Sequence, residues 1–206
     1  GKPKLERLTQ LILRNTATIT VAADSETTVD GLSQQAIQDK CSIRVIVEMD
    51  TGGGRCGVQS PQATVDLAQH IDRASNLEFM GIMTYASGKQ VPPFFDQVRD
   101  LIEKTGLPLH IISAGGTGSQ EFCQSIGCTE TRIGSYIYEG MTRVGKREDL
   151  HPDRCPLRMV TTVVSNARPG QVIIDAGQKA FTSYPPNPYG YCLEHPEIFI
   201  RGMSVE

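Results

Sequence analysis

Two hydrophobic periods alternate along the first two thirds of the chain. Ile43, Val45, Val47 and Met49 follow one another at period two, which indicates a β-strand. Elsewhere apolar residues recur every three to four positions, which indicates helices with one buried face. The predicted strands are residues 18–24, 43–49, 77–85, 107–113 and 129–133, and the predicted helices are residues 4–14 and 28–36, one that begins at Pro61 behind the N-cap Ser60, one that begins at Pro93, and residues 121–126. Strands that alternate with helices predict an α/β fold with a parallel sheet and right-handed crossovers.

The sequence predicts two domains with a boundary near residue 150. Five strand–helix units whose strands end in ligand-type turns favour a TIM-type (β/α) barrel, but 206 residues cannot hold a complete eight-unit barrel. After about residue 145 the helical period disappears, and residues 159–165 and 171–175 are predicted to be two strands joined by a turn. We therefore expect an incomplete barrel over residues 1–150, followed by the start of a β-rich domain over residues 151–206.

Composition excludes several kinds of partner. The net charge is −3 and no run of Lys or Arg is present, so we expect no nucleic-acid binding. No apolar run is long enough to cross a bilayer, so we expect no membrane association. The six cysteines form no zinc-type pair, and we expect them to be free thiols of a cytoplasmic protein.

Glycine-rich turns follow three of the predicted strands, at residues 51–55, 114–118 and 134–136. Backbone N–H groups clustered in such turns can hold a phosphate, especially where a helix starts directly behind the turn. The first of these turns also delivers a guanidinium, that of Arg55. The alternative is that the turns need glycine only for their backbone conformation.

Two further residues lie at strand ends. Tyr85 either offers its ring to a flat cofactor or covers the end of the barrel, and the sequence favours neither. Arg132 either points into the same pocket or forms a surface ion pair. No two histidines or cysteines have the spacing of a known metal-ligand pair.

Several short motifs together carry a family resemblance. In order along the chain they are MDTGGGRCGV, GIMTYASG, ISAGGTGS, ETRIGSYIYEG, VIIDAGQKAF and RGMSVE. The chain resembles the D-threonine aldolase and D-serine dehydratase group of the alanine racemase-like (fold type III) pyridoxal phosphate enzymes. The resemblance implies a barrel that holds pyridoxal 5′-phosphate at its carboxyl end, a following β-domain, a homodimer and a small D-amino acid substrate.

The resemblance also implies roles for individual residues. Arg55 matches an arginine directed at the cofactor or substrate, the ring of Tyr85 packs on the pyridine, and Arg132 lies near the pyridine nitrogen. The residues that match the phosphate-holding turns are Gly116, Thr117, Gly134, Ser135 and Tyr136.

The chain departs from the family pattern at both ends. The lysine that forms the Schiff base is expected upstream of Gly1, and the ligands of a divalent metal, Zn or Mn, are expected downstream of Glu206. No lysine of the chain is assigned that role, and Ala86 follows Tyr85 where the family often has a histidine. We therefore expect a fragment that is inactive by itself.

For the whole protein, the resemblance implies a pyridoxal phosphate-dependent, metal-assisted lyase that acts on D-β-hydroxy amino acids. It would be either an aldolase of the D-threonine type or a dehydratase of the D-serine or 3-hydroxyaspartate type. Two alternatives stay open. One is a racemase, for which Tyr184, Tyr189 and Tyr191 are candidate second bases. The other is a pyridoxal phosphate-binding protein without catalysis.

Overall fold

A computed structural model describes residues 1–85, 89–138, 140, 144, 151–181 and 189–202. The chain divides into two compact units, Gly1–Ile133 and Gly134–Glu206. In the first unit the helices are α1 (Lys2–Leu13), α2 (Glu26–Gln38), α3 (Pro61–Arg73), α4 (Val91–Glu103) and α5 (Gln120–Ser125), and the strands are β1 (Thr20–Ala23), β2 (Ile43–Met49), β3 (Leu77–Thr84), β4 (Ile111–Ala114) and β5 (Glu130–Thr131). The predicted alternation of strands and helices is confirmed.

The five strands form one parallel sheet in the order β1-β2-β3-β4-β5. Each strand therefore pairs with the next strand along the chain, as in a barrel wall. The α/β class and the parallel sheet are confirmed, and over the described residues the sheet is open. Because all strands run the same way, the loops after them lie along one edge, here called the carboxyl edge.

Local signals explain where the helices begin. The side chain of Ser60 accepts a hydrogen bond of 3.2 Å from the N–H of Ala63, which confirms the predicted N-cap of α3. Helix α4 begins at Val91, two residues before the predicted start at Pro93. Proline is tolerated there because the first turn of a helix has no intrahelical partner for its N–H groups.

An irregularity in β3 shifts its register against β2. Val45 lies opposite Phe79 and Ile46 lies opposite Gly81, so Met80 is an extra residue in β3. Gly81 has a φ of +147°, and a Cβ there would lie 1.9 Å from the carbonyl oxygen of Ile111. Only glycine therefore allows β3 and β4 to approach this closely.

The core of the first unit lies between the sheet and helices α2, α3 and α4. Strand β2 is almost completely buried, and α3 packs against β2 and β3. Helix α1 is joined to the end of α2 through Asp39, whose carboxylate accepts hydrogen bonds from Thr9 Oγ1 (2.5 Å) and Gln35 Nε2 (2.7 Å).

The second unit contains short elements. Two 3₁₀ turns, Ser135–Ile137 and Pro152–Arg154, precede β6 (Val163–Ser165), which pairs antiparallel with β7 (Ile173–Ile174). This confirms the predicted strand pair. The predicted boundary near residue 150 stays a prediction, and most of the proline-rich loop, with Tyr184, lies outside the described residues. No helix in the described ranges has the length and apolar character to span a membrane.

Candidate functional site at the carboxyl edge

Arg132 connects the ends of several strands at the carboxyl edge. Its Nη1 donates to Ser113 Oγ, and its Nη2 donates to the carbonyl oxygen of Thr84 at 2.5 Å. Thr84 Oγ1 lies 2.8 Å from Thr51 Oγ1, which follows β2. Thr51, Thr84 and Ser113 are all buried. A row of hydrogen bonds thus joins the carboxyl ends of β2, β3, β4 and β5.

This arrangement fixes the position of a positive charge. A guanidinium has five N–H groups and no acceptor, and two groups of Arg132 are held by neutral oxygens. Neutral partners orient the guanidinium but do not cancel its charge. Arg132 is therefore suited to holding an anionic or electron-rich ligand atom in a defined direction.

Arg55 and Tyr85 form a second charged feature of the edge. The Cζ atom of Arg55 lies 4.3 Å from the centroid of the Tyr85 ring, which is the geometry of a cation–π contact. The Tyr85 side chain is 55% exposed, so its ring does not seal the end of the sheet. Together these residues present an exposed aromatic ring with a guanidinium on it.

The triple-glycine loop does not offer its N–H groups to a ligand. The N–H groups of Gly52, Gly53 and Gly54 donate to the carboxylate of Asp50, at 3.0 Å, 2.7 Å and 3.1 Å to Oδ1. Burial acts to raise the pKa of Asp50, but the hydrogen bonds from these amides lower it overall. The expectation that this turn presents open N–H groups is therefore corrected: its contribution to the edge is the side chain of Arg55.

The second glycine-rich turn is closed by Ser119. The N–H of Gly116 donates to Ser119 Oγ at 2.9 Å, and the same hydroxyl donates to the carbonyl oxygen of Gly116 at 2.8 Å. Gly115 has a φ of +72°, and a Cβ there would lie 2.2 Å from Ser119 Oγ. Thr117 is half-buried within this turn. The turn is compact and needs glycine at position 115.

The structure brings together the predicted site residues of the first unit. Arg55 contacts Tyr85, Arg132 binds the carbonyl of the residue before Tyr85, and a Cβ at Gly116 would lie 3.7 Å from the carbonyl oxygen of Arg132. Two guanidinium groups, an aromatic ring and a glycine-rich turn fit a flat, anionic phosphate ester such as pyridoxal 5′-phosphate.

The remaining predicted residues lie at the start of the second unit. Gly134 precedes the exposed 3₁₀ turn Ser135–Ile137, and the Tyr136 side chain is 57% exposed. Their assignment to phosphate binding stays a prediction.

The site residues that the sequence did not predict are Asp50, Thr51, Thr84 and Ser113. A signal for Asp50 exists, since an acidic residue two to four positions before a glycine run can fold back onto the N–H groups of that run. The roles of the three hydroxyl residues, Thr51, Thr84 and Ser113, follow from contacts between neighbouring strands, so they become apparent only when the strands are in register.

Two of the thiols, those of Cys56 and Cys128, are poor nucleophiles. Burial, together with Cys123 nearby, raises the pKa of Cys128 to about 11, and a hydrogen bond to Glu48 raises the pKa of Cys56. Among the residues that the structure describes, no three His, Cys, Asp or Glu side chains form a possible metal site.

Comparison with known proteins identifies the family. A family model described as "Alanine racemase, N-terminal domain" matches residues 5–142. The 3-hydroxy-D-aspartate aldolase of Paracoccus denitrificans (strain Pd 1222) is 34% identical over 198 residues, which cover 86% of this chain and 51% of that protein. The D-threonine aldolase of an Arthrobacter species is 30% identical over 199 residues, which cover 89% of this chain and 52% of that protein.

A solved structure shows the same fold. The crystal structure of D-threonine aldolase from Filomicrobium marinum superposes with a TM-score of 0.76 at 26% identity, over 93% of this chain and 55% of that one. The chain thus spans about half the length of the curated relatives that it matches. These findings confirm the resemblance given by the motifs and the alanine racemase-like fold. The chain belongs to the family of the alanine racemase N-terminal domain.

Proposed function

We propose that the chain is the cofactor-binding part of a pyridoxal phosphate-dependent lyase that acts on D-β-hydroxy amino acids. The observation that carries the proposal is the group formed by Arg55, Tyr85 and Arg132 at the carboxyl edge. It occurs in a chain whose relatives are named as a 3-hydroxy-D-aspartate aldolase and a D-threonine aldolase. An aldolase or a dehydratase is consistent with these residues.

Each residue has a role that follows from its chemistry. The exposed Arg55 guanidinium pairs with an anionic oxygen of the cofactor or substrate, and the Tyr85 ring packs on the flat cofactor. Arg132 donates only, so a neighbouring ring nitrogen that accepts from it stays unprotonated. When bound, pyridoxal 5′-phosphate supplies an electron sink for negative charge at the substrate carbon. An unprotonated ring nitrogen weakens that sink and restricts the range of reactions.

The phosphate group is assigned to the turns that match the family's phosphate-holding motifs. Its proposed contacts are Gly116, Thr117, Gly134, Ser135 and Tyr136. In the whole protein, a divalent Zn or Mn ion would stabilise negative charge on the substrate β-hydroxyl oxygen. A homodimer and a cytoplasmic location complete the proposal.

Binding tests the proposal without any need for turnover. Isothermal titration of the 206-residue chain with pyridoxine 5′-phosphate uses a ligand that lacks the aldehyde and so binds only non-covalently. We expect saturable binding that is tighter than that of pyridoxine or inorganic phosphate. Arg55→Ala and Arg132→Ala are each expected to weaken it about tenfold, since each removes a charged contact.

A matched control separates these contacts from general charge effects. Arg7→Ala removes the same charge from the exposed side of α1 and is expected to leave binding unchanged. Absence of binding, or equal effects of all three substitutions, would refute the proposed cofactor site.

The family name keeps a racemase as a second candidate. Supplying the chain with pyridoxal 5′-phosphate and Mn²⁺ or Zn²⁺ distinguishes the reaction classes. Carbonyl products from D-threonine or D-3-hydroxyaspartate support a lyase, whereas inversion of D-alanine without a carbonyl product supports a racemase. The same assay on a longer protein that contains this chain extends the test, because the chain spans about half the length of the relatives that it matches.

A further inference from the structure

We propose that Asp50 is a positioning residue whose carboxylate folds the β2–α3 loop so that Arg55 is held over Tyr85. The inference rests on the proposed function in one respect, namely that Arg55 contacts the cofactor or substrate. It goes beyond that function by assigning a role to a residue that contacts neither.

The hydrogen bonds of Asp50 determine the course of the loop. Its Oδ1 accepts from Gly52, Gly53 and Gly54, and its Oδ2 accepts a second bond from Gly54 at 3.1 Å. Gly52 and Gly54 have φ angles of +104° and +64°, which side chains rarely allow. The carboxylate thus gathers three successive amides, and Arg55 is the next residue.

The far end of the loop is fixed independently. The N–H of Asp50 donates to Val58 O at 3.0 Å, and the N–H of Val58 donates to Glu48 O at 2.9 Å. The N–H of Gly57 donates to Asp24 Oδ2 at 3.3 Å. Arg55 therefore lies in a short segment whose start is held by Asp50 and whose end is held by β2 and by Asp24 after β1.

This placement has a consequence for binding. The side chain of Arg55 is exposed and long, so an unrestrained loop would let its guanidinium sample many positions. Restraint of the backbone and contact with the Tyr85 ring reduce the conformational entropy that ligand binding must remove. Burial acts to raise the pKa of Asp50, but the hydrogen bonds from the loop amides lower it overall, so the carboxylate is a weak base.

Nuclear magnetic resonance tests the positioning without any ligand. Protons of the Arg55 side chain that lie over the Tyr85 ring should be shifted upfield by the ring current, and Tyr85→Leu should remove the shift. We expect Asp50→Ala to remove it as well. The matched control Asp66→Ala, on the exposed side of α3, should retain it. Retention of the shift in Asp50→Ala would overturn the proposal.

A double-mutant cycle tests the link to binding. Asp50→Ala is expected to weaken pyridoxine 5′-phosphate binding by about tenfold in the wild-type background and by less than about twofold in the Arg55→Ala background. Equal weakening in both backgrounds would show that Asp50 does not act through Arg55. If Arg55→Ala leaves the affinity unchanged, the proposed role of Arg55 fails, while the ring-current measurement still decides whether Asp50 positions it.

If Asp50→Ala does not fold, Asp50→Asn replaces it in both the ring-current and the affinity measurements. The amide keeps one acceptor oxygen without the charge, so we expect a smaller loss of the Arg55 shift and of affinity, in the same direction. Wild-type behaviour of Asp50→Asn in both measurements would then overturn the proposal.

Discussion

Replacing Ser113 with alanine tests the hydrogen bonds that hold Arg132. Ser113 is completely buried, and its hydroxyl accepts from the Arg132 guanidinium. A hydrogen bond to a charged group contributes about 1.5–3 kcal/mol, and the lower figure applies because Arg132 is only half-buried and water can reach it. We therefore expect Ser113→Ala to lower the free energy of unfolding by about 1.5 kcal/mol.

Urea unfolding followed by far-ultraviolet circular dichroism is the suitable assay, since the chain contains no tryptophan. Ser125→Ala is the matched control, because that hydroxyl is exposed and bonds to a neighbouring carbonyl of its own helix, Phe122 O, at 2.8 Å. It should change the free energy of unfolding by no more than about 0.5 kcal/mol.

A cycle with Arg132→Ala shows whether the effect belongs to this pair. In the Arg132→Ala background, Ser113→Ala should lower the free energy of unfolding by much less, because the guanidinium that donates to Ser113 is already absent. The contact between Ser113 and Arg132 would be refuted if Ser113→Ala and Ser125→Ala lowered the free energy of unfolding equally. It would also be refuted if Ser113→Ala lowered that free energy as much in the Arg132→Ala background as in the wild type.

Two further predictions concern the fold. Gly81→Ala places a Cβ 1.9 Å from the Ile111 carbonyl oxygen, so we expect a loss of more than about 4 kcal/mol or failure to fold; an unchanged thermal melt would contradict this. Hydrogen bonds from Thr9 and then Gln35 lower the pKa of Asp39 below its ordinary value of 3.8, against the effect of burial. The stability that Asp39 contributes is therefore present above pH 3.8 and lost as the pH falls through the lowered pKa, so acid titrations of Asp39→Asn should show a smaller decline than those of the wild type.

Much of the fold follows from local sequence signals. The strand Ile43–Met49 was predicted with the bounds that the structure shows, because its apolar period is unbroken and Asp50 ends it. The Ser60–Pro61 pair also predicted the start of α3, since the cap and the first helical residue are neighbours in the sequence.

Other features depend on contacts between distant residues. Strand β4 begins at Ile111, whereas the apolar run predicted a start at residue 107, because pairing with β3 begins only opposite Gly81. The carbonyl of Thr84 and the hydroxyl of Ser113 meet Arg132 only after β3, β4 and β5 are in register. The extra residue Met80 shifts the register of β3 against β2, at whose ends Thr84 and Thr51 meet. No local pattern contains this information.

The sequential order of the sheet has a consequence for folding during synthesis. Each strand pairs with the one made before it, so every new strand meets an edge that already exists when it leaves the ribosome. The sheet can thus grow by one strand at a time, with one helical crossover to close at each step. The carboxyl edge acquires its fixed positive charge last, when the residue after β5, Arg132, reaches the ends of β3 and β4.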